Sequence, residues 1–240
     1  MNTNESITAS TNISLRSTAL TAGIGYLVIF ITGIFANFFI LEGLVVKGNA
    51  VATFENIASN GFQFRMGILA FIIMVIFDVV LAWALYLLLI PVNRGLSLLS
   101  AWLRLVNATI FGMALYNLVS ILPMVHSTNA PALPDTGWLY GQVMLYIDAF
   151  NYTWLIGLVF FGIHLPVLGY LVFRSGYIPK ILGILLFIAG IGYLSDSFAR
   201  FLIADYVHYA DIFSMVVIIP GVIGELSFTL WLLIRGWRLQ

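Results

Sequence analysis

The sequence predicts an all-α fold: a polytopic transmembrane helical bundle of about six spans, with both termini cytoplasmic. Composition gives the first observation, since 62% of the 240 residues are hydrophobic and only 8% are charged. The mean hydropathy of +1.06 is the second. Soluble domains are about 25% charged and about 45–50% apolar, so this chain belongs to the membrane class.

Long apolar runs give the third observation, because a helix needs about 20 apolar residues to cross the hydrocarbon layer. Six runs qualify, over residues 18–43, 66–90, 96–125, 143–173, 178–203 and 212–234. We expect residues 1–17 to form a polar, disordered N-terminal tail and residues 18–240 to form a single transmembrane helical domain.

The connections between the runs differ in character. "PVNRG" (91–95) and "RSGYIP" (174–179) contain helix-breaking residues and predict tight turns. In the longer connection 47–65, Asn49 is placed to cap a short helix whose apolar residues Val51, Phe54 and Ile57 would lie at the membrane interface. Residues 126–137 predict an irregular loop.

Basic residues predict the orientation. If there are six spans, one side holds six of them: Arg16, Arg94, Arg174, Lys180, Arg235 and Arg238. The loops of the other side hold only Lys47 and Arg65. Because cytoplasmic loops are enriched in Lys and Arg, both termini are predicted to be cytoplasmic.

Four ionisable residues on four different spans are predicted to lie near the membrane midplane. Asp78, Arg104, His164 and Glu225 each lie about 14–18 Å from the cytoplasmic end of their span, at 1.5 Å per residue. Each alone would cost about 2.5–3.5 kcal/mol in the bilayer. Facing one another, they would nearly cancel in charge. We therefore expect a polar centre that binds a substrate or a proton.

Other polar residues accompany this centre. Ser97, Ser100, Arg104 and Asn107 recur at helical spacing and predict a polar stripe that faces away from lipid. Ser100, Asn107, Asp148 and Asn151 are candidates for secondary polar positions. Asp196 and Arg200 have i, i+4 spacing and predict an outer ion pair. Pro166 and Pro220 each fall within a span, beside His164 and Glu225.

Several functional classes are excluded or unsupported. The net charge is zero, which argues against nucleic-acid binding, and the absence of cysteine excludes disulfides and thiolate sites. Haem held by two histidines inside the membrane is not expected, since only His164 lies in a span. No metal or other cofactor is predicted, and motifs for phosphate binding, zinc proteases or serine hydrolases are missing.

Several stretches resemble a family of uncharacterised bacterial membrane proteins, domain of unknown function 4386. They are "FRMGILAF" (64–71), residues 78–105, residues 157–198 with the turn "RSGYIP", and "GELSFTLWLLIRG" (224–236). The resemblance implies a multi-span helical bundle, and we expect a location in the bacterial cytoplasmic (inner) membrane. It implies no activity, substrate or cofactor.

Three functions remain compatible with these residues. The first is a small transporter or permease whose polar centre relays protons. The second is a membrane-embedded sensor or enzyme that binds a lipid-soluble ligand, so enzymatic activity stays open. The third is a bundle whose buried charges only fix packing. The expected partners are the lipid bilayer and a small-molecule, lipid or proton ligand, and the oligomeric state is left open.

Overall fold

The computed structural model describes residues 14–126 and 136–239, which contain helices and turns but no strand. Seven helices lie in these two ranges: α1 (Leu15–Leu44), α2 (Ala50–Ser59), α3 (Gly61–Leu89), α4 (Arg94–His126), α5 (Thr136–Arg174), α6 (Lys180–Leu202) and α7 (Ala210–Arg235). All except α2 are long and apolar enough to cross a membrane. The chain is an integral membrane protein with an all-α bundle of six spans, as the sequence predicts.

The six long helices form a ring in chain order. Each packs against the next long helix along the chain, from α1 and α3 through to α6 and α7. Contact between α7 and α1 closes the ring, and Gly236, directly after α7, packs against Ala19. The start of α1 and the end of α7 therefore lie at the same end of the bundle, which we call the terminal end.

Two tight turns lie at the terminal end and are joined to each other. The predicted turns occupy residues 90–93 and 175–179, and Gly176 in the second has a φ of 76°. The hydroxyl of Tyr177 donates a hydrogen bond to the carbonyl oxygen of Leu88 over 2.5 Å. Leu88 is in the last turn of α3, where carbonyl groups have no partner within the helix. The second turn thus caps α3 and fixes the α5–α6 hairpin against it.

Helices α5 and α6 approach each other through glycines spaced seven residues apart. A Cβ atom on Gly169 would lie 2.5 Å from the carbonyl oxygen of Gly183, and the reverse also holds. One heptad away, a Cβ atom on Gly190 would overlap the ring of Pro166 and crowd the carbonyl oxygen of Gly162. Small residues let membrane helices pack backbone to backbone, so this hairpin is a rigid unit of the bundle.

Both prolines within spans free a carbonyl group that faces a glycine of α6. Helices α5 and α7 continue through Pro166 and Pro220. Each proline removes one backbone donor, so the carbonyls of Gly162 and Val216 lose their helical partners. The Gly162 carbonyl faces Gly190, and a Cβ on Gly192 would lie 2.5 Å from the Val216 oxygen.

The short helix α2 has the predicted cap, and two of its apolar residues pack against the bundle. The side chain of Asn49 accepts a hydrogen bond from the backbone N–H of Ala52 over 3.0 Å, which confirms the cap. Val51 is exposed, whereas Phe54 and Ile57 are buried against the bundle and so do not face lipid. The reason is the length of α5: it begins at Thr136, before the predicted start at residue 143, and so provides a packing surface for α2.

The ends of two predicted segments lie outside the described residues. Helix α1 begins at Leu15, three residues before the predicted start of the first span. Residues 1–13 of the predicted tail and residues 127–135 of the predicted irregular loop are not among the residues that the structure describes.

Helix α5 has 39 residues, a length of about 58 Å, and so extends well beyond a hydrocarbon layer of about 30 Å.

Candidate functional site

The polar centre contains an ion pair between α3 and α4. The Nη2 atom of Arg104 lies 2.6 Å from Oδ1 of Asp78, and neither side chain is more than 3% exposed. The tight turn at residues 90–93 makes α3 and α4 antiparallel neighbours, and Asp78 and Arg104 lie at similar distances from this turn. Burial of either charge alone would cost free energy, and the ion pair lowers that cost for both residues.

His164 of α5 joins this pair to the backbone of α4. Its Nε2 atom lies 3.4 Å from Nη1 of Arg104, and its Nδ1 atom lies 2.9 Å from the carbonyl oxygen of Ser100. A guanidinium group only donates hydrogen bonds, so Nε2 must be the acceptor. A carbonyl only accepts, so Nδ1 carries the proton. These partners define a neutral imidazole in the Nδ1–H tautomer.

The Arg104 guanidinium lies over two aromatic rings. Its Cζ atom lies 5.2 Å from the ring centroid of Tyr26 on α1 and 5.4 Å from that of Phe161 on α5. Such cation–π contacts stabilise a cation by about 2 kcal/mol or more when it is desolvated. Arg104 thus contacts one carboxylate and two aromatic rings.

Glu225 of α7 lies beside this network and is held differently. Its Oε1 atom accepts a hydrogen bond from the hydroxyl of Tyr193 on α6 over 3.2 Å. Its side chain is buried and lies within electrostatic range of Arg104 and Asp78, but it forms no ion pair with Arg104. The structure therefore joins three of the four predicted residues directly, and it brings Glu225 near them on a separate contact.

Several buried polar atoms around Arg104 have no hydrogen-bond partner among the described residues. They are the hydroxyl of Tyr26, the Nε atom of Arg104 and both amide atoms of Asn107. Asn107 lies one turn from Arg104 on α4, and its side chain is fully buried. Native proteins leave few buried polar groups unpaired, so these atoms indicate a place for a hydrogen-bonding ligand or for water.

Comparison with known proteins assigns the chain to a family. A family model described as "Domain of unknown function (DUF4386)" matches residues 21–236. The chain belongs to this family. An uncharacterized protein from the archaeon Archaeoglobus fulgidus is 37% identical over 173 residues, which are 72% of this chain and 85% of that relative. No solved structure matches the chain.

The polar stripe on α4 of this DUF4386 protein faces inward, as predicted. Its four members are at most 3% exposed: Ser97, Ser100, Arg104 and Asn107. Ser97 donates to the carbonyl oxygen of Tyr86 over 2.8 Å, and the hydroxyl oxygen of Ser100 lies 3.0 Å from Nδ1 of His164. Ser100 therefore belongs to the polar centre, whereas Ser97 fastens α4 to the end of α3.

Asp148 and Asn151 are not part of the polar centre. Both are exposed on α5. At 1.5 Å per residue they lie about 39 Å and about 35 Å from Arg174, beyond a hydrocarbon layer of about 30 Å. They are also on the side of α5 opposite His164, at rotations of about 160° and about 140°. Their exposure follows from the length of α5, which extends past the apolar layer.

The predicted outer pair is formed and extends to a third residue. Nε of Arg200 lies 2.9 Å from Oδ2 of Asp196, and the hydroxyl of Tyr206 donates to Oδ1 of Asp196 over 2.5 Å. The ring of Tyr206 also lies 4.8 Å from Cζ of Arg200. These contacts fasten the connection between α6 and α7 to the end of α6.

The described residues contain no group of three or more His, Cys, Asp or Glu that could hold a metal ion. In the polar centre, Arg104 and Ser100 occupy both ring nitrogens of His164. Neither nitrogen is free to ligate a metal in this arrangement. The centre is built for hydrogen bonds and ion pairs.

Three aromatic residues of the centre were missed by the sequence reasoning. Tyr26, Phe161 and Tyr193 surround Arg104 and Glu225. With them, every one of the six spans contributes a side chain to the centre. The sequence contains a signal for two of them. Tyr26 lies about 16 Å from the start of α1, and Tyr193 lies about 20 Å from the start of α6. Both are thus far from the membrane surfaces, where Tyr is usually found.

Proposed function

We propose that this protein is a small transporter whose polar centre carries a proton in exchange for, or together with, a substrate. One observation carries the proposal: the two acids of the polar centre, Asp78 and Glu225, are held unequally. Asp78 is paired with Arg104 at 2.6 Å, whereas the Glu225 carboxyl group accepts a hydrogen bond from Tyr193 at 3.2 Å and has no ion-pair partner among the described residues. Glu225 can therefore gain and lose a proton while the Asp78–Arg104–His164 network stays intact.

The surroundings of Glu225 support a change in helix packing during transport. Pro220 precedes it by five residues and interrupts the hydrogen bonds of α7. Gly192 of α6 lies against the freed carbonyl of Val216, so the two helices meet there without intervening side chains. Proline sites are where membrane helices bend. Bending at this point would expose Glu225 first to one side of the membrane and then to the other.

The charge distribution supports a definite orientation. The six basic residues that predict the cytoplasmic side are all at the terminal end of the bundle, where the α7–α1 contact also lies. By the positive-inside rule this end faces the cytoplasm. We therefore propose that the protein lies in the cytoplasmic membrane with both termini inside.

Proton movement in proteoliposomes tests the proposal. The full chain is reconstituted with a pH-sensitive dye inside the vesicles, and pools of solutes are added outside while the membrane potential is clamped. A coupled transporter gives a pH change that depends on one solute class. Glu225→Gln should lower that rate by about 10²-fold, the lower range for loss of a positioned proton donor. Glu55→Gln, which changes an exposed acid on α2, is the matched control and should retain the wild-type rate.

Two results would contradict the proposal. One is a wild-type protein that is folded in the vesicles but moves no proton with any solute pool. The other is a solute-dependent proton flux that Glu225→Gln leaves unchanged. Either result would favour the interpretation of the centre as a packing device.

A ligand-binding protein or enzyme is the second candidate, and the unpaired atoms around Arg104 favour it. The hydroxyl of Tyr26, Nε of Arg104 and the amide of Asn107 could together bind a polar group of a lipid-soluble molecule. Native mass spectrometry of the chain released from native membranes tests this. A small molecule retained by the wild type and lost in Asn107→Leu would support binding, and a wild-type spectrum without bound molecules would count against it.

A further inference from the structure

The terminal end of the bundle has an open groove between the α5–α6 turn and the end of α7. The groove has a volume of about 600 Å³. Its walls are formed mainly by Tyr177 and Ile178 of the turn, and by Trp231, Arg235, Arg238 and Leu239 at and after the end of α7. We call it the terminal groove. It lies at the opposite end of α7 from Tyr206, and about 15 Å along the helix from Glu225.

Among the described residues, those that carry charge at this end of the bundle are all basic. Six basic residues lie here: Arg16, Arg94, Arg174, Lys180, Arg235 and Arg238. Within residues 14–126 and 136–239, every acidic residue lies either inside a span or toward the other end. Arg235 and Arg238 form no ion pair with any described residue, and both are exposed. The two guanidinium groups in the groove are therefore available to an anion.

The terminal groove changes from charged to apolar along the direction of the membrane normal. Trp231 lies one helical turn deeper than Arg235 and is partly buried, and Ile178 is buried beside it. The guanidinium of Arg238 lies over the ring of Trp237, at 5.0 Å from Cζ to the centroid. A contact with the ring uses no carboxylate or phosphate partner, so the guanidinium N–H groups can still donate to an anion. An aromatic and aliphatic floor below two cations matches a molecule with a phosphate group and an apolar chain.

We propose that the terminal groove binds an anionic phospholipid, with its phosphate between Arg235 and Arg238 and an acyl chain along Trp231. Arginine binds phosphate oxygens through paired N–H groups, and basic pockets between spans are a recognised type of lipid headgroup site. The Tyr177 hydroxyl is already committed to Leu88, so the turn that forms one wall is held in place without the lipid. This site is separate from the polar centre and does not depend on the function proposed for it.

Lipid titration of the purified full chain tests the site. Native mass spectrometry measures binding of phosphatidylglycerol and of phosphatidylcholine with the same acyl chains. The variant Arg235→Gln/Arg238→Gln removes both cations of the groove. Arg16→Gln/Arg94→Gln is the matched control, because it removes the same charge from the same end outside the groove. A third arm adds inorganic phosphate as a competitor.

We expect the wild type to prefer phosphatidylglycerol and the groove variant to bind it about thirtyfold more weakly, with the control within about threefold of wild type. Equal losses in both variants would overturn the proposal, since the effect would then be one of general surface charge. An unchanged groove variant would overturn it as well. Displacement of phosphatidylglycerol by inorganic phosphate at equal concentration would assign the two arginines to a soluble phosphate instead.

Discussion

Nη1 of Arg104 lies 3.4 Å from Nε2 of His164, and because Arg104 can only donate, the histidine nitrogen must carry a lone pair. The imidazole is thus a neutral spacer between a charged pair and the Ser100 carbonyl, rather than a third charge. This relationship explains how a histidine is tolerated in the apolar run around residue 164. Its two nitrogens meet one donor and one acceptor, and neither is left unpaired.

The tautomer of His164 can be measured directly. We expect nitrogen NMR of the histidine-labelled chain in lipid at neutral pH to show a neutral ring with the proton on Nδ1, because Ser100 provides an acceptor there. Comparison with His164→Gln identifies the signal among the three histidines of the chain. A ring with both nitrogens protonated would contradict the assigned network.

Removal of one partner of the buried ion pair should destabilise the bundle strongly. Asp78→Asn leaves the Arg104 charge without its ion-pair partner at 1% exposure, and the expected loss is about 3–5 kcal/mol in the free energy of unfolding. Unfolding by SDS in mixed micelles measures it. Asp211→Asn changes an exposed acid at the start of α7 and should cost no more than about 0.5 kcal/mol.

A double variant tests whether the loss of stability in each single variant comes from the charge that is left unpaired. In Asp78→Asn/Arg104→Gln both charges are absent, so the penalty of an unpaired buried charge disappears. We expect the double variant to be more stable than the sum of its two single losses predicts. Strict additivity of the two losses would mean that the 2.6 Å contact contributes little.

The close contact between α5 and α6 should be sensitive to a single methyl group. In Gly190→Ala the new Cβ would overlap the ring of Pro166, and overpacking of this kind costs about 1–3 kcal/mol. Gly112→Ala on α4 is the control, since its Cβ would meet nothing within 4 Å. The control should be neutral or slightly stabilising in the same SDS unfolding measurement. Equal effects of the two substitutions would contradict the packing of this hairpin.

The depth of the polar centre could be predicted from the sequence because the rise of a helix is fixed. Counting residues from the turns placed Asp78, Arg104 and His164 at one level, and the structure joins these three. The partners of each residue could not be predicted in the same way. Most spans are apolar on all sides, so periodicity does not show which face of α1 or α6 turns toward Arg104.

Rotation about the helix axis separates two of the candidates for secondary polar positions from His164. Asp148 and Asn151 are about 160° and about 140° away from His164 around α5, so they could not share its face. Tyr26 and Tyr193 are a different case. A tyrosine in an apolar span fits packing as well as hydrogen bonding, and only the contacts with Arg104 and Glu225 distinguish the two roles.

Tyr177 should make the folded protein less stable at alkaline pH. Partial burial raises the pKa of its hydroxyl from 10.0 to about 12. A pKa raised by folding stabilises the folded state below the unfolded value, and this contribution is lost as the pH rises from about 10 to about 12. Tyr177→Phe also loses the hydrogen bond to Leu88, at a cost of about 1 kcal/mol at pH 8. Thermal unfolding of both proteins across this pH range measures the effect. The difference between wild type and variant should shrink above pH 10, and a constant difference would contradict the prediction.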